Sequence, residues 1–334
     1  MSVSIFDGTA LRSISGSAAP ALRSGLPEFT LLPNPIFTRD NSPWLLSGNE
    51  ILYWPCVVHL KKHYPASPYE FGLYYSTDHA TGQGGIGLAT APHPEGPWTD
   101  RGARIYVDTA VGTQTETADV VWNPITQLFH MFYSQKNAGI NQSTVLATSP
   151  NGVTNWTRVG VVIDVETPQR VPGNGHTGYA RVQRQGKKWI AHHLCGGGNR
   201  AHFAVSYSDD GISWTMDRRV VPARVELSGD NAVRISGFQT VPFFWSGRQY
   251  APYVESPLES GVLSDAKTIK LALYDGPNRL TPVGDLISPG AYPWCSVTTQ
   301  MPHALEYQGA IYMPFLAKGS TQLNGCIGMM KAVA

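Results

Sequence analysis

Charge is scarce in this 334-residue sequence: 25 Lys and Arg face 24 Asp and Glu, together 15% of the chain, where soluble domains carry about 25%. With neither sign in excess and no basic run, the electrostatic footprint that nucleic acid or an anionic surface requires is missing. Lys61-Lys62, Lys187-Lys188 and Arg218-Arg219 are isolated pairs that suit solvated turns. Long apolar runs are also missing. The longest, from Ile51 to Leu60, contains Pro55 and His59 and falls short of the ~18 residues that cross a bilayer, so no membrane span is expected. The four cysteines, Cys56, Cys195, Cys295 and Cys326, lie far apart without CxxC or metal-type spacing, which suits buried free thiols. The opening MSVSIFDGTALRS lacks a basic segment followed by an apolar one. A secretory signal is therefore not expected, and the expected location is the cytoplasm, or release with or within a virion. Cys195-Gly196-Gly197-Gly198 is the only glycine run, and no helix signal follows it to build a phosphate cradle.

What is present is turn and aromatic: 34 Gly, 25 Pro and 10% Phe, Trp and Tyr, a composition of many short strands. A repeat organises it. GIGLATAPHPEGPWTDRG (85–102), TVLATSPNGVTNWTRVG (144–160) and FAVSYSDDGISWTMDRR (203–219) each run from an apolar strand through a turn into Trp-Thr, with Trp98, Trp156 and Trp214 spaced 58 residues apart. IKLALYDGPNRLTPVGDLI (269–287) is a fourth, weaker copy. Ahead of each copy stands an apolar hairpin: 56–76, 120–134, 181–194 and 240–254, with a fifth at 304–317. Two hairpins per unit make a four-stranded antiparallel sheet, and radial stacking of such sheets is a β-propeller. The prediction is an all-β, five-bladed propeller over residues 27–334 with an arm at 1–26. The fifth unit stops after a third strand, CIGMMKAVA (326–334), so the ring must close with an N-terminal segment, Phe29–Leu32 or Ile36–Phe37. Tyr207–Trp214 nearly matches an Asp-box, a folding turn remote from the axis. Trp98, Trp156 and Trp214 should pack between blades.

In a propeller the first strands converge on the axis, and a ligand enters at the rim of that funnel. The starts of the first strands offer Tyr53 and Trp54, Glu116 and Asp119, His176, Tyr179 and Arg181, Phe238 and Gln239, and Gln300 and His303. Aromatic faces with planar polar groups suit a sugar. Positions 116 and 119 differ by an odd number, so on a regular strand only one faces the funnel, unless Glu116 precedes the strand. By the same alternation at most one of His192 and His193 should be buried, and a metal pair there is not expected.

Asn34-Pro35-Ile36-Phe37 and the phrase IGLATAPHPEGPW followed by Arg101-Gly102 resemble the five-bladed glycoside hydrolase superfamily, which includes families 43, 32, 68, 117 and 130. The resemblance spans most of residues 34–334. It implies a hydrolase acting on a poly- or oligosaccharide, with an Asp base on blade 1, an orienting Asp on blade 2 and a Glu acid on blade 3. Asp119, in Glu116-Thr117-Ala118-Asp119-Val120, matches the orienting position. Where Asp-Pro-x-Val is expected the chain reads Trp54-Pro55-Cys56-Val57, and where the acid is expected it reads His176-Thr177-Gly178-Tyr179. Two carboxylates of the resemblance are thus replaced. A reassigned chemistry would use His176 or His303 as proton donor and Glu116 or Asp119 to activate water. Trp54, Tyr179, Arg181, Phe238, Gln239 and His303 would then bind the sugar. Pro302-His303 resembles the axial histidine that holds a water or a cation such as calcium; no cofactor is otherwise required. The competing expectation is a non-catalytic glycan-binding propeller, a virion or surface-assembly component, with residues 1–26 mediating oligomerisation or attachment.

Overall fold

The computed structural model describes residues 25–45, 51–77, 84–110, 115–136, 142–164, 177–195, 202–217, 234–237, 241–256, 266–277 and 280–333, together with four short strands outside these ranges. Of the arm, Ser4–Phe6 pairs antiparallel with Leu11–Ser13; the rest of residues 1–24 lies outside the described residues. No helix among the described residues is long and apolar enough to cross a membrane.

The chain forms five antiparallel sheets arranged as the blades of a propeller. Blade 1 runs Leu52–His59, Phe71–Thr77, Ile86–Ala91, Thr99–Asp100, and blade 2 runs Thr115–Asn123, Leu128–Lys136, Gln142–Ser149, Thr157–Ile163. Blade 3 runs Arg181–Gln185, Lys188–Cys195, His202–Ser208, Thr215–Met216. In blades 4 and 5 the first strand comes in two pieces, Arg234–Gly237 with Phe243–Trp245, and Thr298–Gln300 with Leu305–Tyr307. Both predicted closing segments are used. Leu31 and Thr30 pair with Met330 and Lys331, and Phe37 bridges Ile327. Both chain ends therefore share blade 5, and Phe37 is wholly buried there.

The repeated Trp residues join neighbouring blades, as their spacing suggested. Trp156 of blade 2 meets Tyr74 of blade 1 edge-on at 6.3 Å, and Trp214 of blade 3 meets Phe132 of blade 2 at 5.6 Å. Trp98 of blade 1 shares a cluster with Ile327 of blade 5. The turn leading to each is built twice on one plan. In Ser149–Trp156 and Ser208–Trp214 the serine hydroxyl accepts the glycine N–H, from Gly152 at 3.0 Å and from Gly211 at 2.8 Å. Asn151 and Asp210 each accept two further backbone N–H groups, at 2.9 Å from Val153 and Thr154 and at 2.8 Å from Ile212 and Ser213. Burial pushes the Asp210 carboxyl up, but these donors outweigh it and hold its pKa at about 2.

Both faces of most strands are covered, which overturns the expectation for His192 and His193: both are fully buried. Alternation puts them on opposite faces, but His192 contacts Tyr274 of blade 4 at 3.4 Å while His193 meets Ser206 of its own blade at 2.9 Å. The three thiols that are described, Cys56, Cys295 and Cys326, are free and buried.

The feature that positions the site is a bulge repeated near the axis. Tyr53 pairs with Ser76 and Cys56 with Tyr74; Glu116 pairs with Ser134 and Asp119 with Phe132. Three steps on the first strand thus match two on its partner, the signature of one inserted residue. Trp54 and Thr117 take positive φ there, 56° and 55°, as do Tyr179 (59°) and Met301 (56°) in blades 3 and 5. The insertion restores parity, because the partners of 116 and 119 are two apart. Glu116 and Asp119 therefore lie on the same face of blade 2, not on opposite faces.

The bulges of blades 2 and 3 are each held by a serine of the preceding blade. Ser76 Oγ accepts the Thr117 N–H at 2.8 Å, and Ser134 Oγ accepts the Tyr179 N–H at 2.8 Å and the Thr117 hydroxyl at 2.6 Å. Replacing Ser134 by Ala strands a buried N–H and a buried hydroxyl and is expected to cost about 1–3 kcal/mol in denaturant unfolding; a cost below 0.5 kcal/mol would contradict this role for the hydroxyl.

Candidate functional site

The bulges align four quartets: Tyr53–Cys56, Glu116–Asp119, Gly178–Arg181 and Gln300–His303. Their last members, Cys56, Asp119, Arg181 and His303, meet at the axis. Arg181 is wholly buried. Its Nη1 donates to Asp119 Oδ1 at 3.0 Å, and Nη2 donates to the carbonyls of Pro55 at 3.0 Å and Met301 at 3.4 Å. The guanidinium carbon lies 4.4 Å from the centre of the Trp54 ring, a cation–π contact in a desolvated setting. One side chain thus ties blades 1, 2, 3 and 5 together. Asp119 Oδ2 also accepts the Val182 N–H at 2.8 Å. Burial pushes the Asp119 carboxyl up, against the pull of Arg181 and of that N–H. Burial also pushes the Cys56 thiol well up, and burial with Arg181 holds His303 well below the ordinary histidine range. Cys56 is therefore a thiol and His303 a neutral imidazole at pH 7.

Cys56, Asp119 and His303 bring a sulfur, a carboxylate oxygen and a ring nitrogen within 4.8 Å of one another. They do not fit calcium, which takes six to eight oxygen ligands. The one carboxylate is engaged by Arg181, and the guanidinium already puts a positive charge at the axis, held by a carboxylate and two carbonyls.

Members of three quartets, Tyr53, Tyr179, Gln300 and Met301, border an open pocket of about 250 Å3, whose lining also includes Ile51, Leu316 and Lys318. Tyr179 packs edge-on to Trp54, with centroids 5.5 Å apart. Lys267 Nζ donates to Gln300 Oε1 at 3.0 Å and fixes that amide. The Tyr53 hydroxyl donates to Oε2 of the buried Glu116. Gln142 Nε2 donates to the other oxygen, Oε1, at 3.1 Å. Glu116 is 1% exposed and Tyr53 is 8% exposed.

Of the residues singled out from the sequence, Tyr53, Tyr179 and Gln300 line the pocket, and Glu116 touches it through Tyr53. Asp119, Arg181, Trp54 and His303 form the buried axial layer instead. His176, Phe238 and Gln239 lie outside the described residues. Ile51, Leu316 and Lys318 were missed because they precede blade 1 or lie on the second strand of blade 5, away from the first-strand positions read. Gln142 was missed because it opens a third strand, and no sequence signal links it to Glu116.

No family model matches the chain. A curated arabinan endo-1,5-alpha-L-arabinosidase C from Emericella nidulans is 35% identical over 96 residues, 27% of this chain and 29% of that protein. The chain thus matches less than a third of that relative's length. A glycosyl hydrolase from Bacteroides ovatus superposes with a TM-score of 0.61 at 15% identity, over 95% of this chain and 96% of that one. A thermostable family-43 glycoside hydrolase does so with a TM-score of 0.59 at 11% identity, over 84% and 88%. The fold of this chain is therefore that of the five-bladed β-propeller glycoside hydrolases.

Proposed function

We propose that the chain acts on a poly- or oligosaccharide at the axial funnel, with the pocket between blades 1, 3 and 5 seating one sugar ring. The observation that carries this is the lining itself. Two tyrosines offer faces for C–H surfaces, Gln300 and Lys318 offer hydrogen-bond donors for hydroxyls, and Ile51, Met301 and Leu316 supply the apolar remainder. Its size is just below the ~300–1,000 Å3 of drug-sized sites, which suits a single ring rather than a large cofactor. The likeness to hydrolases of glycans supports the same reading.

Purely non-catalytic binding is the second reading, and one observation favours it. Trp54 stands where the resemblance places the base, Tyr179 stands in the stretch that should hold the acid, and Asp119 is committed to Arg181. Inverting hydrolysis needs two carboxyl groups facing each other across ~6.5–9.5 Å with water between them, and the described residues of the pocket lining include no carboxylate.

A glycan array covering neutral and acidic oligosaccharides, followed by calorimetry on the best ligand, tests the assignment. Tyr179→Ala is expected to weaken binding about tenfold or more, the loss of roughly 1.4 kcal/mol or more of stacking and burial. Unchanged affinity in that variant, or no glycan bound at all, would overturn it.

A further inference from the structure

We propose that Tyr53 is a nucleophile for glycosyl transfer to water, with Glu116 as its base, on glycosides that carry a carboxylate at or beside the anomeric carbon. This rests on the pocket being a sugar site and goes beyond it by assigning a reaction and a substrate class. An activated nucleophile is recognised when it is hydrogen-bonded to a base that a third group orients. Here the phenol of Tyr53 donates to Glu116 Oε2, and Gln142 holds Glu116 Oε1 at 3.1 Å. Tyr53 stands in the pocket wall while Glu116 is buried behind it, so the phenol is the member that substrate can reach.

The substrate class follows from charge. Among the described residues of the lining, Lys318 is the one ionisable cation, and no carboxylate accompanies it there. A carboxylate nucleophile would be repelled by an acidic group next to the reacting carbon. A phenol is neutral until its oxygen bonds, and its proton neutralises Glu116 rather than adding a second anion. Some glycosidases use a tyrosine in place of a carboxylate nucleophile.

In the first step the Tyr53 oxygen bonds the anomeric carbon as the glycosidic C–O bond breaks. The bonding pair leaves with the aglycone oxygen, which takes a proton from water, and the phenol proton passes to Glu116. In the second step water attacks the same carbon, the C–O bond to Tyr53 breaks, and Glu116 returns its proton to the phenolate. The proton released by the attacking water balances the hydroxide left by the first step. The net change is hydrolysis, with the anomeric configuration retained.

Intact-mass and peptide mass spectrometry after incubation with 2,3-difluoro-N-acetylneuraminic acid tests this, because fluoride leaves without an acid and the second fluorine slows release. A neutral 2-deoxy-2-fluoro-arabinosyl fluoride is the comparison. One adduct on Tyr53 from the acidic probe is expected, absent in Tyr53→Phe and formed at least 100-fold more slowly in Glu116→Gln. Adduct from the neutral probe alone would overturn the substrate class. No adduct, or one on another residue, would overturn the nucleophile. Because the wild-type protein is what is labelled, an unfolded variant cannot produce that result. Glycan binding retained without an adduct would refute this inference alone, whereas loss of both would refute the sugar site as well.

Discussion

Acidification from pH 7 to 5.5 is expected to cost the propeller roughly 3–4 kcal/mol of stability. His130, His192 and His193 are fully buried between strands, and burial holds the pKa of each down at about 4. In the unfolded chain they titrate near 6.5. Between the two values the unfolded state binds protons that the folded state refuses, so stability falls as pH falls through 6.5 and keeps falling towards 4. Each site contributes about 1 kcal/mol over the interval from pH 7 to 5.5. His303, held well below the ordinary range, adds in the same direction. Against a total of ~5–15 kcal/mol for a typical domain, this makes the fold acid-labile. Thermal melts across pH 7, 6.5, 6 and 5.5 check it, and His193→Gln should flatten the slope. A melting temperature unchanged over that range would show that these imidazoles accept protons in place.

The second large effect is expected at the axis. Arg181→Met leaves Asp119 buried beside no cation and removes donors from the Pro55 and Met301 carbonyls. Breaking a buried pair from one side costs about 3–5 kcal/mol. Replacing both partners by apolar groups of similar volume is often near neutral, so Arg181→Met with Asp119→Leu should recover much of the loss. Urea unfolding of the two single variants and the double variant forms the cycle. A single-variant cost below 1 kcal/mol would mean that the guanidinium does not hold the blades together. Asp119 is engaged by Arg181 through one oxygen and by the Val182 N–H through the other. Its loss should lower stability first, and activity only through the fold.

The propeller was legible because its scaffold repeats in the chain. Trp98, Trp156 and Trp214 keep one spacing; Trp156 and Trp214 meet an aromatic ring of the preceding blade edge-on, and Trp98 shares a hydrophobic cluster with blade 5. Ring closure was legible because an incomplete fifth unit demands an outer strand, and Phe29–Leu32 and Ile36–Phe37 were the apolar segments available. The site was less legible, for a backbone reason. Trp54, Thr117, Tyr179 and Met301 take positive φ, a region where glycine is the usual signal and a β-branched threonine is rare. Nothing in the side chains announces the bulge, so counting by alternation put Glu116 and Asp119 on opposite faces. The same count misjudged His192 and His193, because in a blade both faces of a strand are interior. Residues expected at the funnel mouth, Arg181 and His303, turned out to form the layer beneath it.

The scarcity of charge acquires a specific meaning at the axis. Arg181 and Asp119 are buried there and pair with each other, Glu116 is masked by Tyr53 and Gln142, and Lys318 is the charged group among the described residues of the pocket wall. A crystal structure with the best glycan-array ligand bound is the most direct test of the account. The account predicts one sugar ring in the pocket, stacked on Tyr179 and within hydrogen-bond reach of Gln300 and Lys318, with the Arg181–Asp119 pair intact beneath it. A ligand bound elsewhere on the propeller, or a sugar in direct contact with Asp119, would contradict it.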